Sequence, residues 1–226
     1  MMNSYALQSS VVPATILAIS GSLKRSSVNS AALRAAAVAA VRDDVAVALA
    51  DSVRHLPHFD PDLETKPPYA VRRLRTACEA ADGVLLSVPE YAFGIPGSLK
   101  NALDWTVGSG SLYRKPVTLL DVAPAGRGTH VREALKLVLS ALDADVTLRF
   151  VPVAPSDRDR NGEISNPKIV DELEAVVAEL AANLTGRVRP SAVTLCPTTQ
   201  DTPEGSSLAA FHPIESTRCC GASSVF

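Results

Sequence analysis

Short hydroxyl and amide side chains stand beside two basic residues in a Gly/Ser loop near the start of the chain. The apolar run 15–19 leads into Ser20-Gly21-Ser22-Leu23-Lys24-Arg25-Ser26-Ser27-Val28-Asn29, and an alanine-rich segment typical of a helix follows. The first N–H groups of a helix lack intrahelical partners and carry partial positive charge, so an anion is stabilised there. Serine hydroxyls, the Asn29 amide and the charges of Lys24 and Arg25 add donors for the same anion. The loop therefore predicts phosphate binding without a metal.

This loop matches neither of the two common glycine-rich nucleotide motifs. It lacks the Gly-Lys-Ser/Thr of a Walker loop, and it lacks the Gly-x-Gly-x-x-Gly of a dinucleotide fingerprint. The residues leave a second interpretation open, in which Ser27 or Asn29 is an ordinary helix cap beside solvated basic side chains.

A second loop, over 89–97, joins an apolar strand to a helix. The run 83–88 is uniformly apolar apart from Ser87, as in a strand buried on both faces. Pro89 ends the strand because it has no N–H for the ladder. The turn at 94–97 contains two glycines and a proline, so its backbone N–H groups can approach a flat ligand closely. The alternative is an ordinary strand-turn-helix corner.

The remaining chain supplies the elements that position these loops. Strands are predicted near 14–20, 45–50, 83–88, 116–122 and 146–152, and helices near 28–42, 67–81, 97–107, 129–143 and 167–185. Alternating strands and helices predict an α/β fold with a parallel sheet covered on both faces, and five strands favour the order 2-1-3-4-5. The small-residue loop 123–129 then joins the other two loops at the carboxyl edge of the sheet, where ligands of such sheets bind.

Two of these segments resemble motifs of the NADPH-dependent FMN reductase family. Residues 20–29 are similar to its Gly-Ser-Leu-Arg-x-x-Ser-x-Asn phosphate loop. Residues 89–105 are similar to its Pro-Glu-Tyr-Asn-x-x-x-Pro-Gly-x-Leu-Lys-Asn-Ala-Ile-Asp-Trp block. The resemblance implies a flavodoxin-like three-layer sandwich over 14–186. It also implies FMN as cofactor and NADPH or NADH as co-substrate.

The resemblance further implies which residues hold the flavin. Ser22, Lys24, Ser27 and Asn29 would bind the phosphate, and Pro89, Glu90, Tyr91 and Gly94 would line the ring and the ribityl chain. The loop 123–128 would complete the pocket at the pyrimidine end. The expected cofactor-binding residues are Gly21, Ser22, Leu23, Lys24, Ser27, Val28, Asn29, Pro89, Glu90, Tyr91, Ala92, Gly94, Ala125 and Gly126.

Two positions depart from the family pattern. Lys24 stands where the family has Arg, which keeps the charge but loses the bidentate fork. Ala92 stands where the family has Asn, so a side-chain amide is missing. One hydrogen bond contributes about 0.5 to 1.5 kcal/mol, so FMN affinity is expected to fall by up to roughly tenfold per lost contact.

The expected activity moves two electrons from NAD(P)H through FMN to a small acceptor such as a quinone, an azo compound or a metal oxyanion. No catalytic side chain is predicted, since the flavin carries the chemistry. Either Arg127 or the backbone amides around Gly126 are predicted to stabilise negative charge on the reduced flavin, and His130 is predicted to be a first-turn helix residue. The competing classes are a flavodoxin-type electron carrier, which the net charge of only −2 disfavours, and a flavin- or nucleotide-sensing module.

Composition limits the partners. The 226 residues are 46% hydrophobic and 20% charged, which suits one globular domain. Their near-neutral balance gives no electrostatic footprint for nucleic acid. No apolar run is long enough for a membrane span and the first residues lack a signal-peptide pattern, so a cytoplasmic location is expected. A homodimer or homotetramer is implied by the family resemblance alone.

Other segments carry no predicted chemistry. The four cysteines form no metal-binding pattern, and Cys78 is expected to pack as a small apolar residue. The loop 51–68 holds two histidines and several carboxylates at spacings that fit no metal motif, so a solvated loop is predicted. Residues 1–13 are expected to be an extension and 187–226 a disordered tail.

Overall fold

Five parallel strands form one sheet in the order 2-1-3-4-5, as predicted. The computed structural model describes residues 14–40, 45–50 and 53–184. The strands are β1 (Thr15–Ser20), β2 (Ala46–Leu49), β3 (Gly83–Ser87), β4 (Pro116–Asp121) and β5 (Asp145–Phe150). Ser20 pairs with Ser87 at the ends of β1 and β3, and Asp121 pairs with Phe150 at the ends of β4 and β5. The carboxyl ends of these strands therefore share one edge.

Five helices connect and cover the strands. They are α1 (Val28–Ala39), α2 (Tyr69–Ala80), α3 (Gly97–Val107), α4 (Thr129–Ala141) and α5 (Pro167–Leu184), and short 3₁₀ turns occupy Val53–His55, Pro61–Leu63 and Pro155–Asp157. The predicted extension, the tail and Cys196, Cys219 and Cys220 lie outside the described residues.

The observed bounds agree with the predicted ones or differ by one or two residues, mostly where the backbone explains it, except that α1 ends at Ala39 rather than 42. Helix α2 begins at Tyr69 rather than 67, because two prolines precede it. Helix α4 ends at Ala141 rather than 143, where Asp143 adopts a left-handed φ of 51°. Strand β5 ends at Phe150, two residues before Pro152, which cannot donate to the ladder. Strand β3 likewise ends at Ser87, two residues before Pro89.

The two faces of the sheet bury separate cores. Successive strand residues point to opposite faces, so Ile16 and Ala18 pack with α1 and α5, whereas Leu17 and Ile19 pack with α2, α3 and α4. The alanines of α1 let that helix lie close to the sheet, and Ala32 and Ala36 are fully buried. This arrangement is the predicted three-layer sandwich.

The loop between β2 and α2 is anchored rather than simply solvated. The carbonyl of Pro57 accepts hydrogen bonds from Asn101 Nδ2 and Trp105 Nε1, each at 2.9 Å. The ring of Phe59 meets the ring of Trp105 edge to face, with centroids 5.0 Å apart. The predicted solvated loop, whose His55, His58, Asp60 and Asp62 are exposed, is thus also anchored at one point, because α3 offers it two polar side chains and an aromatic surface.

The opposite end of the sheet shows ordinary packing. Cys78 is buried, as predicted, and burial raises the pKa of its thiol to about 12. Lys115 donates to the carbonyls at the end of α2, which have no partner within the helix. Among the described helices, none is long and apolar enough to cross a membrane.

Candidate functional site

A cleft of about 700 Å³ opens at the carboxyl edge of the sheet. Its volume lies in the range of about 300 to 1,000 Å³ that small-molecule pockets occupy. The loops that follow β1, β3, β4 and β5 all contribute to it. Its lining residues are Val28, Asn29, Val88, Pro89, Glu90, Phe93, Val122, Ala123, Pro124, Gly126, Arg127, Gly128, Thr129, His130, Val153, Ala154, Pro155 and Arg158.

The first wall is the amino terminus of α1. Ser27 is the N-cap residue, with extended backbone, but its side chain makes no capping hydrogen bond. Asn29 is 5% exposed, and its Oδ1 accepts a hydrogen bond from Ser87 Oγ at 3.0 Å. Ser27 therefore stands at the cap position, as the second interpretation has it, but neither its hydroxyl nor the Asn29 amide oxygen makes a capping hydrogen bond. The helix end keeps donors for an anion, which is the property that phosphate binding requires.

The second wall is a tight hairpin after β3. Tyr91 and Gly94 exchange two backbone hydrogen bonds, of 3.2 and 2.9 Å. The two residues between them, Ala92 and Phe93, have left-handed φ values of 48° and 57°. This pattern is a type I′ turn. The turn projects Phe93 into the cleft lining with 76% of the residue exposed, and no sequence-based prediction included Phe93.

The left-handed backbone at position 92 gives a physical reason why the family has asparagine there. Asn tolerates a left-handed backbone better than Ala does, so Ala92 stores strain in this turn. We expect Ala92→Asn to raise the free energy of unfolding by about 0.5 to 1 kcal/mol. Urea denaturation of the flavin-free protein measures this change. Ala125, an exposed turn alanine whose φ is not positive, is the matched control, and an equal gain from Ala125→Asn would contradict the strain argument.

The third wall is the loop between β4 and α4, held by an ion pair. Asp121 accepts a hydrogen bond from the N–H of Ala123 at 2.8 Å and pairs with Arg132, which also donates to the carbonyl of Arg127. Gly128 has a φ of 79°, and a Cβ there would lie 3.0 to 3.1 Å from the Arg132 and Asp121 side chains. The loop therefore presents little but backbone to the cleft.

Glu90 ties the second wall to the third. Its Oε2 accepts a hydrogen bond from the N–H of Val131 in the first turn of α4 at 3.1 Å, and His130 Nδ1 lies 3.5 Å from Oε1. The hydrogen bond from Val131 first, and His130 second, hold the pKa of Glu90 below its usual value. The carboxylate thus acts as the cap of α4, and the ring of His130 stacks edge to face on Phe93.

The fourth wall follows β5, and the sequence reasoning missed it. Val153, Ala154, Pro155 and Arg158 line the cleft beside α1. They reach it because α5 packs against α1 on the same face of the sheet, which brings the loop before α5 to the start of α1. The available signal was the Asp-Arg-Asn-Gly turn at 159–162, between the predicted strand 146–152 and the predicted helix 167–185.

Of the predicted cofactor-binding residues, five line the cleft: Val28, Asn29, Pro89, Glu90 and Gly126. The others lie on the same loops but outside the lining, namely Gly21, Ser22, Leu23, Lys24, Ser27, Tyr91, Ala92, Gly94 and Ala125. Arg127 lines the cleft, and its predicted role toward a reduced flavin stays a prediction. His130 is a first-turn residue of α4, as predicted.

The arrangement fits a ligand that is flat and apolar at one end and anionic at the other. Val88, Pro89, Phe93 and Val122 supply apolar surface, while the uncapped end of α1 supplies polar donors. The Nε of Arg158 is buried without a hydrogen-bond partner at this polar end. FMN combines a fused ring with a terminal phosphate, and these residues fit both parts.

Comparisons with known proteins agree with the geometry. Residues 14–157 match the family model described as NADPH-dependent FMN reductase. An NAD(P)H-dependent FMN reductase of Pseudomonas aeruginosa is 36% identical over 128 residues, which cover 53% of this chain and 68% of the relative. A quinone reductase of Escherichia coli K12 is 32% identical over 137 residues, or 58% and 72% of the two chains.

A solved structure is similar in fold. The flavoenzyme FerB of Paracoccus denitrificans, an NAD(P)H:(acceptor) oxidoreductase, superimposes with a TM-score of 0.64 at 25% identity. The match covers 76% of this chain and 98% of that one.

Proposed function

Because the chain belongs to the NADPH-dependent FMN reductase family, we propose that it reduces a small quinone with NAD(P)H, using FMN held in this cleft. The observation that carries the proposal is the pairing of an apolar wall with an uncapped helix end in one cleft of about 700 Å³. A flat ring and a phosphate need these two surfaces side by side.

The residues of this chain have binding and positioning roles in the proposal. The N–H groups at the start of α1, with Ser22, Lys24, Ser27 and Asn29, hold the phosphate. Pro89, Glu90 and the loop 123–128 border the ring. FMN, when bound, supplies a ring that accepts hydride from NAD(P)H and returns two electrons to the next ligand. In balance, NAD(P)H, one proton and the quinone yield NAD(P)⁺ and the hydroquinone.

The absence of a catalytic side chain fits the lining. The carboxylate of Glu90 caps α4 by accepting a hydrogen bond from the N–H of Val131, so this acidic group has a structural role. The protein instead excludes water with Val88, Val122 and Val153 and fixes one face of the ring. The exposed Phe93 at the rim offers an aromatic surface on which a flat acceptor can stack.

Flat organic acceptors, quinones and azo compounds alike, are favoured over metal oxyanions by this apolar rim, and reduction of azo compounds or metal oxyanions stays a prediction.

Homo-oligomerisation and a cytoplasmic location are also predictions. Tyr91 and Phe93 are 54% and 76% exposed beside the cleft, which supports an additional contact surface there. The dependence on NAD(P)H supports an intracellular site of action.

An anaerobic spectral titration tests the proposal. We expect purified protein to bind FMN, NADPH or NADH to bleach the flavin absorption, and an added quinone to restore it with one equivalent of quinone per equivalent of flavin. Binding of FMN without bleaching would favour the electron carrier or the sensing module instead. Failure to bind FMN would overturn the assignment of the cleft.

A further inference from the structure

Arg158 is a charged residue in the cleft that the predicted phosphate loop does not include. Its Nε is buried and has no hydrogen-bond partner among the described residues. Leaving such a donor unpaired costs about 1 to 3 kcal/mol, and more for a charged group, so a buried unpaired donor calls for a partner such as a ligand or an ordered water. The side chain lines the cleft together with Val28 and Asn29 at the start of α1.

The guanidinium also lies next to the phosphate loop. A Cβ placed on Gly162 would be 3.3 Å from Arg158 Nη2 and 3.9 Å from Ser26 Cβ. The guanidinium and the loop over 20–29 therefore both lie beside this glycine. Gly162 has a φ of 84°, which favours glycine at this turn. The small residue lets the guanidinium and the loop over 20–29 approach each other.

The loop that carries Arg158 is rigidly held. Arg158 forms an antiparallel bridge with Ile164, and Asp159 accepts hydrogen bonds from the N–H groups of Asn161 and Glu163. Glu163 in turn receives two hydrogen bonds from Arg34 of α1, of 3.0 and 2.7 Å. This clamp fixes the backbone of the fourth wall against α1, so the Cα of Arg158 stays beside the start of that helix.

We propose that Arg158 binds the terminal phosphate of FMN and supplies the guanidinium fork that Lys24 lacks. The inference rests on the proposed function, because it assigns a residue to the flavin of that same cleft. Arg158 is the first residue after the segment 14–157 that matches the family model, and it comes from the loop after β5 instead of the loop after β1. A charge-assisted, forked contact from one side thus accompanies the lysine contact from the other.

The test compares FMN with riboflavin, which has the same ring and ribityl chain but no phosphate. Dissociation constants are measured by flavin fluorescence for the wild type, Arg158→Met, Arg158→Lys and the control Arg160→Met. Arg160 is exposed on the same turn, so its variant removes an equal charge from outside the cleft.

We expect Arg158→Met to weaken FMN binding about 10- to 100-fold while riboflavin binding changes less than about twofold. Arg158→Lys is expected to recover part of the loss, and Arg160→Met to change neither ligand by more than about twofold. Equal weakening of FMN and riboflavin, or no change in their ratio, would overturn the role of Arg158.

The same data separate this inference from the proposed function. If the wild type binds FMN more tightly than riboflavin and Arg158→Met keeps that preference, only the role of Arg158 fails. If the wild type itself shows no preference for FMN, the phosphate site at α1 fails, and the inference fails with it.

Discussion

Replacing Ser27 with aspartate is expected to nearly abolish FMN binding while changing the stability of the flavin-free protein little. Ser27 is the N-cap of α1 and makes no capping hydrogen bond with its side chain. Aspartate and serine are comparable N-cap residues, and the charge of aspartate interacts favourably with the helix dipole. Ser27 is only 5% exposed, so the cost of burying the carboxylate offsets this gain in the free energy of unfolding.

The same carboxylate occupies the place where a phosphate would bind. Two unit charges 4 Å apart interact by about 4 kcal/mol at an effective dielectric constant of about 20, and a phosphate carries up to two. We expect Ser27→Asp to weaken FMN binding at least about 100-fold, measured by flavin fluorescence, and riboflavin binding by less than about threefold.

Ser27→Ala is the matched control, since it removes the hydroxyl without adding charge. We expect it to weaken FMN binding by no more than about tenfold, the effect of one lost hydrogen bond. If Ser27→Asp behaves like Ser27→Ala, the phosphate does not lie at the start of α1. A large loss of FMN affinity with little change in the free energy of unfolding would not arise from general misfolding.

Truncating Trp105 is expected to produce the largest loss of stability. Its side chain is fully buried, donates to the Pro57 carbonyl at 2.9 Å and packs against Phe59. Trp→Ala substitutions in cores cost about 3 to 5 kcal/mol, a large share of the 5 to 15 kcal/mol that stabilises an ordinary domain. Urea denaturation followed by circular dichroism measures the change.

Trp105→Phe separates the two contributions of this residue. It keeps most of the aromatic volume but removes the N–H donor, while Asn101 still donates to Pro57. We expect a loss of about 1 to 2 kcal/mol for this variant. A cost for Trp105→Ala below about 1 kcal/mol would mean that the loop over 57–59 is not anchored by this ring.

Periodicity and turn residues were sufficient to predict the fold. The strand order and all ten main elements follow from apolar runs separated by glycine- and proline-containing loops, because local pattern determines these elements. Three of the four walls of the cleft were also predicted, since each begins directly after a strand. Errors at element ends arose where a proline or a left-handed residue such as Asp143 ended an element early.

The fourth wall could not be predicted in this way. The contact between the loop before α5 and the start of α1 joins Glu163 to Arg34, which are 129 residues apart. Local sequence patterns carry no information about contacts between residues so far apart in the chain. This contact depends on which face of the sheet α5 covers. The exposure of Phe93 was missed for a related reason, because it depends on a left-handed pair that the letters Ala-Phe do not suggest.

The spread of the cleft along the sequence has a consequence for biosynthesis. Its walls come from loops that begin at residue 21 and end near residue 164, so the ribosome must release almost the entire described chain before all four can meet. The cofactor therefore cannot guide early steps of folding and can only trap the finished domain. Recovery of flavin binding during refolding would report completion of the last helix, and would lag behind the formation of secondary structure.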